Sequence, residues 1–180
     1  MLQVFYPDKY IVSTYKIDFD RLYTEGYRGI IFDIDNTLVE HGAPADERSI
    51  ALFQHLKKLG FRIMLLSNNK EPRVKLFNDA VHVQYLFKAG KPGKAGYEQA
   101  MQKMECDVHN TLFVGDQLFT DVWGARRCGI YSILVQTIAK HEEIQIVLKR
   151  YLEKIVLASY KRYCKKTGKI FLYKEDRDAD

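Results

Sequence analysis

Strand-like apolar runs alternate with stretches of helical spacing along most of this chain, and that order leaves few architectures open. Gly29 to Ile34, "FRIMLLSNN" from Phe61, "VQYLF" from Val83, "TLFVGD" from Thr111 and "IYSILVQ" from Ile130 read as five strands. Between them lie helical segments over Asp46 to Leu59, Pro72 to Ala80, Lys94 to Met104 and Thr120 to Cys128; Asp46 is the N-cap of the first and Gly60 its stop. The strands lack the polar alternation of a half-solvated sheet. Near-continuous apolar strands separated by helices predict a parallel sheet covered on both faces, an α/β doubly wound fold. The 180 residues, 47% hydrophobic, suit one domain with a single core. No internal repeat or low-complexity segment breaks the pattern.

In such folds a ligand lies beyond the carboxyl ends of the strands. The polar residues that interrupt the runs fall there: Asp33 and Asp35 end the first strand, Ser67 to Asn69 the second and Asp116 the fourth, while "KAGKPGK" with Lys91 follows the third. Acidic residues are poor strand formers and costly to bury, so the pair Asp33/Asp35 demands a chemical reason. Clustered carboxylates stay ionised together most simply around a cation, and hard oxygen ligands point to Mg2+. A lysine and a hydroxyl beside that cation would neutralise and orient phosphoryl oxygens. Nucleophile, metal, cation and acid/base together make the inventory for phosphoryl transfer through an aspartyl-phosphate.

Four segments in order, "DIDNT" at 33–37, "LLSNN" at 65–69, "KPGKAGYEQA" at 91–100 and "VGDQLFTD" at 114–121, resemble the four motifs of the haloacid dehalogenase (HAD) superfamily. The resemblance implies that Asp33 is the nucleophile and a metal ligand, that Asp35 offers its backbone carbonyl to the metal and its side chain as acid/base, and that Asp116 completes the metal site. It further implies phosphate-binding positions at Thr37, which braces the loop, Ser67, Asn68 and Lys91, and an outer-shell place for Asp121. An acid at Asp35 favours a phosphatase over a P-type ATPase or a dehalogenase. His41 and His109 carry no partner spacing and read as solvated; Cys128 reads as helix-end packing.

Most enzymes of that superfamily insert a cap domain after the first or second motif. Here 28 residues separate Leu38 from Ser67 and 21 separate Asn69 from Lys91, and the helices and strands consume most of both. An uncapped crevice suits a large or surface-bound substrate, or an oligomer whose neighbour supplies the lid. The lead-in "YPDKYIVSTYKIDFDRLYTEGYRGIIFDIDNTLV" is similar to the YqeG-type branch of the subclass III HAD phosphatases, itself similar to the mitochondrial phosphatidylglycerophosphate phosphatase. That likeness implies a lipid monoester of phosphatidylglycerol and cardiolipin synthesis as substrate. The alternatives are a phosphatase for nucleotide, sugar-phosphate or nucleic-acid phosphate ends, and a non-catalytic module on the same scaffold.

Charge is unevenly placed. From Lys149 to Lys174 nine positive side chains face Glu153 alone, a local excess larger than the +5 of the whole chain. The division is therefore a single phosphatase domain over 1–180, with a lead-in at 1–28 and a basic tail from about 149 to 180. Ile144, Leu148, Tyr151, Leu152 and Ile155 share a helical stripe, which for these first turns reads as a closing helix packed on the sheet. The segment after Ala158, with Lys161, Arg162, Lys165 and Lys166 among tyrosines, is the better candidate for an anionic membrane, with nucleic acid as the alternative partner. Three scattered cysteines, Cys106, Cys128 and Cys164, fit reduced thiols. With neither a signal-peptide pattern nor a transmembrane run, the expected location is cytoplasmic, at the surface of a membrane if the tail binds lipid.

Overall fold

The computed structural model describes residues 2–138 and 144–176, the side chains of 144–150 excepted. Six strands form one fully parallel sheet in the order β1-β6-β5-β2-β3-β4. In chain order these are β1 (Lys9–Ile11), β2 (Gly29–Phe32), β3 (Arg62–Leu66), β4 (Gln84–Leu86), β5 (Thr111–Gly115) and β6 (Tyr131–Val135). The helices are α1 (Phe19–Thr24), α2 (Glu47–Leu59), α3 (Glu71–Val81), α4 (Lys94–Lys103), α5 (Trp123–Arg127) and α6 (Ile144–Thr167). The doubly wound reading is thus correct, and five of the six strands stand where the apolar runs put them. β1 went unread because three residues are too few to show periodicity; its partner β6 fixes it.

Side chains alternate across β2, which fills both layers. Ile30 and Phe32 pack with Phe19 of α1, Phe53 of α2 and Phe77 of α3, while Ile31 joins Met64, Tyr97 of α4 and Ala125 of α5 on the other face. Asp46 caps α2 by accepting from the Ser49 amide, and Gly60 ends it at φ 99°, a left-handed position that suits glycine. The helix expected from Thr120 begins earlier, as a π-type turn over Leu118–Val122 that continues into α5. No cap is inserted: residues 39–66 hold α2 and β3, and residues 70–90 hold α3 and β4.

The apolar stripe of α6 requires a correction. Tyr151, Leu152 and Ile155 are 65%, 49% and 53% exposed, so the stripe does not close on the sheet. The buried face is Glu153, Val156, Tyr160 and Cys164, packed with Tyr6, Leu118 and Leu134. Glu153 turns inward because its carboxylate accepts the Leu118 amide at 2.7 Å. The side chains of Ile144, Leu148, Lys149 and Arg150 lie outside the described residues. Beyond α6 the chain returns to the N-terminal segment: Tyr173 exchanges backbone hydrogen bonds with Tyr10 and Val12, and buried Asp176 meets Lys9 and Arg21. Lys161, Arg162, Lys165 and Lys166 remain exposed.

Candidate active site

Register brings the polar residues together. Phe32 is level with Leu65 on one side and Val114 on the other, so Asp33 leaves β2 one step before Ser67 leaves β3 and Asp116 leaves β5, and the three emerge together at the centre of the sheet. The ladder extends once more, from the Asp33 amide to the Val114 carbonyl at 3.0 Å. β2 is also where the order reverses: β3 and β4 lie to one side, β5 and β6 to the other. Ligands bind at such a switch point.

Asp33, Thr37, Ser67, Lys91, Asp116 and Asp121 are all buried here. Lys91 Nζ donates to Asp33 Oδ1 at 2.6 Å and to Asp121 Oδ1 at 2.7 Å. Thr37 Oγ1 lies 3.1 Å from Asp33 Oδ2 and 3.4 Å from Asp116 Oδ1. Asp33, Asp116 and Asp121 each offer a carboxylate oxygen within 4.8 Å of the others. Burial pushes Asp33 up to about 6, partly offset by Lys91 and reinforced by Asp121 and Asp35. Burial pulls Lys91 the other way, but Asp121 and Asp33 outweigh it and hold the ammonium charged. Three crowded carboxylates with one lysine bridging two of them form an all-oxygen donor set, which fits a hard divalent cation.

Asp121, assigned an outer place from sequence, is therefore a full member of the acidic cluster. It can approach so closely because position 115 lacks a side chain: a Cβ there would stand 2.5 Å from Asp121 Oδ2. The Gln117 amide and the hydroxyl of Tyr97, which donates to the Thr120 carbonyl at 2.8 Å, fasten this turn.

Asp35 points elsewhere. Its carboxylate accepts from Arg73 Nε at 3.0 Å, Arg73 Nη2 at 2.9 Å, Asn69 Nδ2 at 2.7 Å and the Gly42 amide at 2.8 Å, with His41 Nδ1 at 3.6 Å. It still borders the same crevice, a cavity of about 290 Å³ that includes Asp33, Ser67, Asn68 and Lys91. Asn68 spends its side chain on the neighbouring loop, donating to the Lys91 carbonyl at 3.0 Å and accepting its amide at 2.7 Å. Ser67 Oγ accepts the Asn69 amide at 3.1 Å. His109 and Cys128 lie outside this crevice.

Sequence reasoning missed Arg73, Asn69, Thr14 and Tyr15. The first had a signal: a basic residue in the first turn of a helix runs against the macrodipole, and Arg73 occupies that place in α3. Thr14 and Tyr15 had none. Their hydroxyls donate to the carbonyls of Thr37 and Leu38, at 2.7 and 2.5 Å, which ties the N-terminal segment to the loop that follows Asp33.

Several known proteins resemble this chain. A model of HAD-hydrolase-like proteins matches residues 88–151. The chain is 36% identical to the probable phosphatase YqeG of Bacillus subtilis over 164 residues, covering 90% of this chain and 95% of that protein. It is 26% identical to phosphatidylglycerophosphate phosphatase 1, chloroplastic/mitochondrial, of Arabidopsis thaliana, over 83% of this chain but only 45% of that protein's length. Among solved structures, the cobalt-bound deoxy-D-mannose-octulosonate 8-phosphate phosphatase YrbI of Haemophilus influenzae superposes with a TM-score of 0.52 over 74% of this chain and 89% of that one; at 13% identity this likeness concerns the fold.

Proposed function

Because the chain belongs to the HAD-like hydrolases and is a close relative of YqeG-type phosphatases, we propose that it is a Mg2+-dependent phosphomonoesterase whose substrate is phosphatidylglycerophosphate. The observation that carries the chemistry is the meeting of Asp33, Lys91, Asp116 and Asp121 in one buried cluster beside Asp35 and Ser67. When held by Asp33, Asp116 and Asp121, Mg2+ supplies charge neutralisation for the attacked phosphoryl group.

The chain's own residues divide the remaining work. Lys91 and the Ser67 hydroxyl receive phosphoryl oxygens, and the Asn68 amide fixes the Lys91 backbone so that the ammonium stays aimed at Asp33. An Asp33 carboxylate oxygen attacks phosphorus, the bond to the ester oxygen breaks, and Asp35 gives a proton to the departing alcohol. Asp35 then takes a proton from water, whose oxygen attacks the same phosphorus; the bond to Asp33 breaks, releasing phosphate and restoring the carboxylate.

Three observations support the lipid monoester. The crevice has no cap between its motifs, the outward side of α6 carries exposed cations, and a relative at 26% identity bears the name of a phosphatidylglycerophosphate phosphatase. Among the described residues no helix is long and apolar enough to cross a membrane, so contact with lipid would be interfacial. Phosphate release across a panel of lipid, nucleotide and sugar monoesters, with and without Mg2+, tests both halves. Turnover without a divalent cation would remove the metal, and a preference for a soluble ester over phosphatidylglycerophosphate would remove the substrate.

A further inference from the structure

Beside the polar crevice runs a groove of opposite character. It is a cavity of about 360 Å³ that reaches from Asp116 past Leu118, Leu134 and Val135 to Leu157 and Lys154 on α6. Asp116 belongs both to this groove and to the acidic cluster, so the two spaces adjoin at the reacting centre.

The groove meets α6 at Glu153, Lys154 and Leu157, and past Lys154, on the side of Tyr151, the helix turns to a face that packing leaves uncovered. Single exposed apolar residues are ordinary, but Tyr151, Leu152 and Ile155 share one face at i, i+1 and i+4. Seven and fourteen residues on, that face continues as exposed Arg162, Lys165 and Lys166. The acid of α6 among its described side chains is Glu153, which is buried against Leu118, so the outward charge of this helix is cationic. An apolar start, a cationic continuation and an apolar groove leading to the carboxylates match one occupant, an anionic glycerophospholipid at a bilayer surface. A nucleic acid would answer the cations but leave both apolar features without a role.

We propose that the groove takes the acyl-bearing side of the substrate while α6 lies on an anionic bilayer, with Tyr151, Leu152 and Ile155 among the headgroups. This deepens the lipid-monoester reading above and rests on it for the class of ligand. Two variants test it away from the catalytic residues. Changing Tyr151, Leu152 and Ile155 together to serine should weaken binding to phosphatidylglycerol-containing vesicles by about tenfold or more, since partly exposed apolar side chains supply that much when buried. Leu157→Trp fills the groove. Monomeric dihexanoylphosphatidylglycerol should inhibit p-nitrophenyl phosphate hydrolysis by the unmodified protein, and Leu157→Trp should weaken that inhibition about tenfold with p-nitrophenyl phosphate turnover unchanged. Unchanged vesicle binding by the triple variant, or unchanged inhibition in Leu157→Trp, overturns the inference. So does an unmodified protein that ignores vesicles yet binds single-stranded DNA with a steep salt dependence. Neither readout uses lipid hydrolysis, so failure to hydrolyse phosphatidylglycerophosphate with both binding results intact counts against the substrate reading alone.

Discussion

Arg73 places two nitrogens, Nε and Nη2, at 3.0 and 2.9 Å from a single oxygen of Asp35. The side chain proposed to carry protons is therefore oriented by a fork whose planar geometry a lysine cannot reproduce. Nη1 of Arg73 is buried with no hydrogen-bond partner among the described residues, which leaves the grip on Asp35 as the main polar engagement of this guanidinium. Arg73→Gln should lower turnover of an alkyl phosphate by up to roughly a factor of 10², the scale of an ångström-sized misplacement. p-Nitrophenyl phosphate, whose leaving group departs without a proton, should suffer much less. An equal loss on both esters would assign Arg73 to binding or folding instead.

Asp33→Asn should abolish turnover while the fold survives, since an amide can neither attack phosphorus nor serve as a charged ligand. Circular dichroism and phosphate release on the same preparation check this, and near-normal activity would sink the nucleophile assignment. Asp35→Asn should keep Mg2+ binding and lose roughly 10² to 10⁴ in rate, the usual contribution of general acid/base catalysis.

Gly115→Ala tests the closeness of Asp121 to the cluster. The added Cβ would stand 2.5 Å from Asp121 Oδ2 and must displace it or the strand. Weaker Mg2+ binding is expected together with lower stability, by about 1–3 kcal/mol, the range of overpacking changes. Calorimetric titration with Mg2+ and a denaturant curve report the two effects separately.

Acid should oppose the metal. Asp33 is raised by burial from 3.8 to about 6, so below that pH the metal-free folded protein holds a proton that Mg2+ must expel. Apparent Mg2+ affinity should fall by up to about tenfold per pH unit below 6. The same shift has the opposite sign for the metal-free fold. Between 3.8 and 6 the folded state binds more protons at Asp33 than the unfolded chain does, so this group adds stability as pH falls through that window. An Mg2+ affinity flat from pH 7 to pH 5 would contradict the assignment.

Asp176→Ala should loosen the return of the C-terminal segment. The carboxylate is fully buried, receives Lys9 and Arg21, and accepts the Asp18 amide at 3.1 Å. Removing it takes from buried Lys9 its carboxylate, while Arg21 keeps Glu25, at a cost of about 3 kcal/mol on the scale of broken buried pairs. Thermal unfolding with and without the substitution measures this, and the buried Lys9 makes Asp176→Asn the milder change.

The sequence by itself determined the layering of the sheet and the end at which its polar residues gather. Unbroken apolar strands such as "GIIF" and "TLFVG" can be stable only when covered on both faces, so the parallel α/β layering is written locally, and the polar residue just past the end of β2, β3 and β5 marks where the crevice opens. The positions of Asp33, Ser67 and Asp116 were legible for that reason, and that of Lys91 from the loop that follows β4. Tertiary structure decided what depends on contacts distant in the chain: that β1 is a strand, because β6 gives it a ladder and Tyr173 a bridge on its other edge; that Asp121 joins the cluster, because Gly115 clears its path; and that Asp35 turns to Arg73, 38 residues away. It also decided which face of α6 looks outward. Periodicity shows that a helix has an apolar stripe, but which stripe is buried depends on the surface opposite, and here Tyr6, Leu118 and Leu134 offered that surface to Val156 and Tyr160 instead of Tyr151 and Ile155.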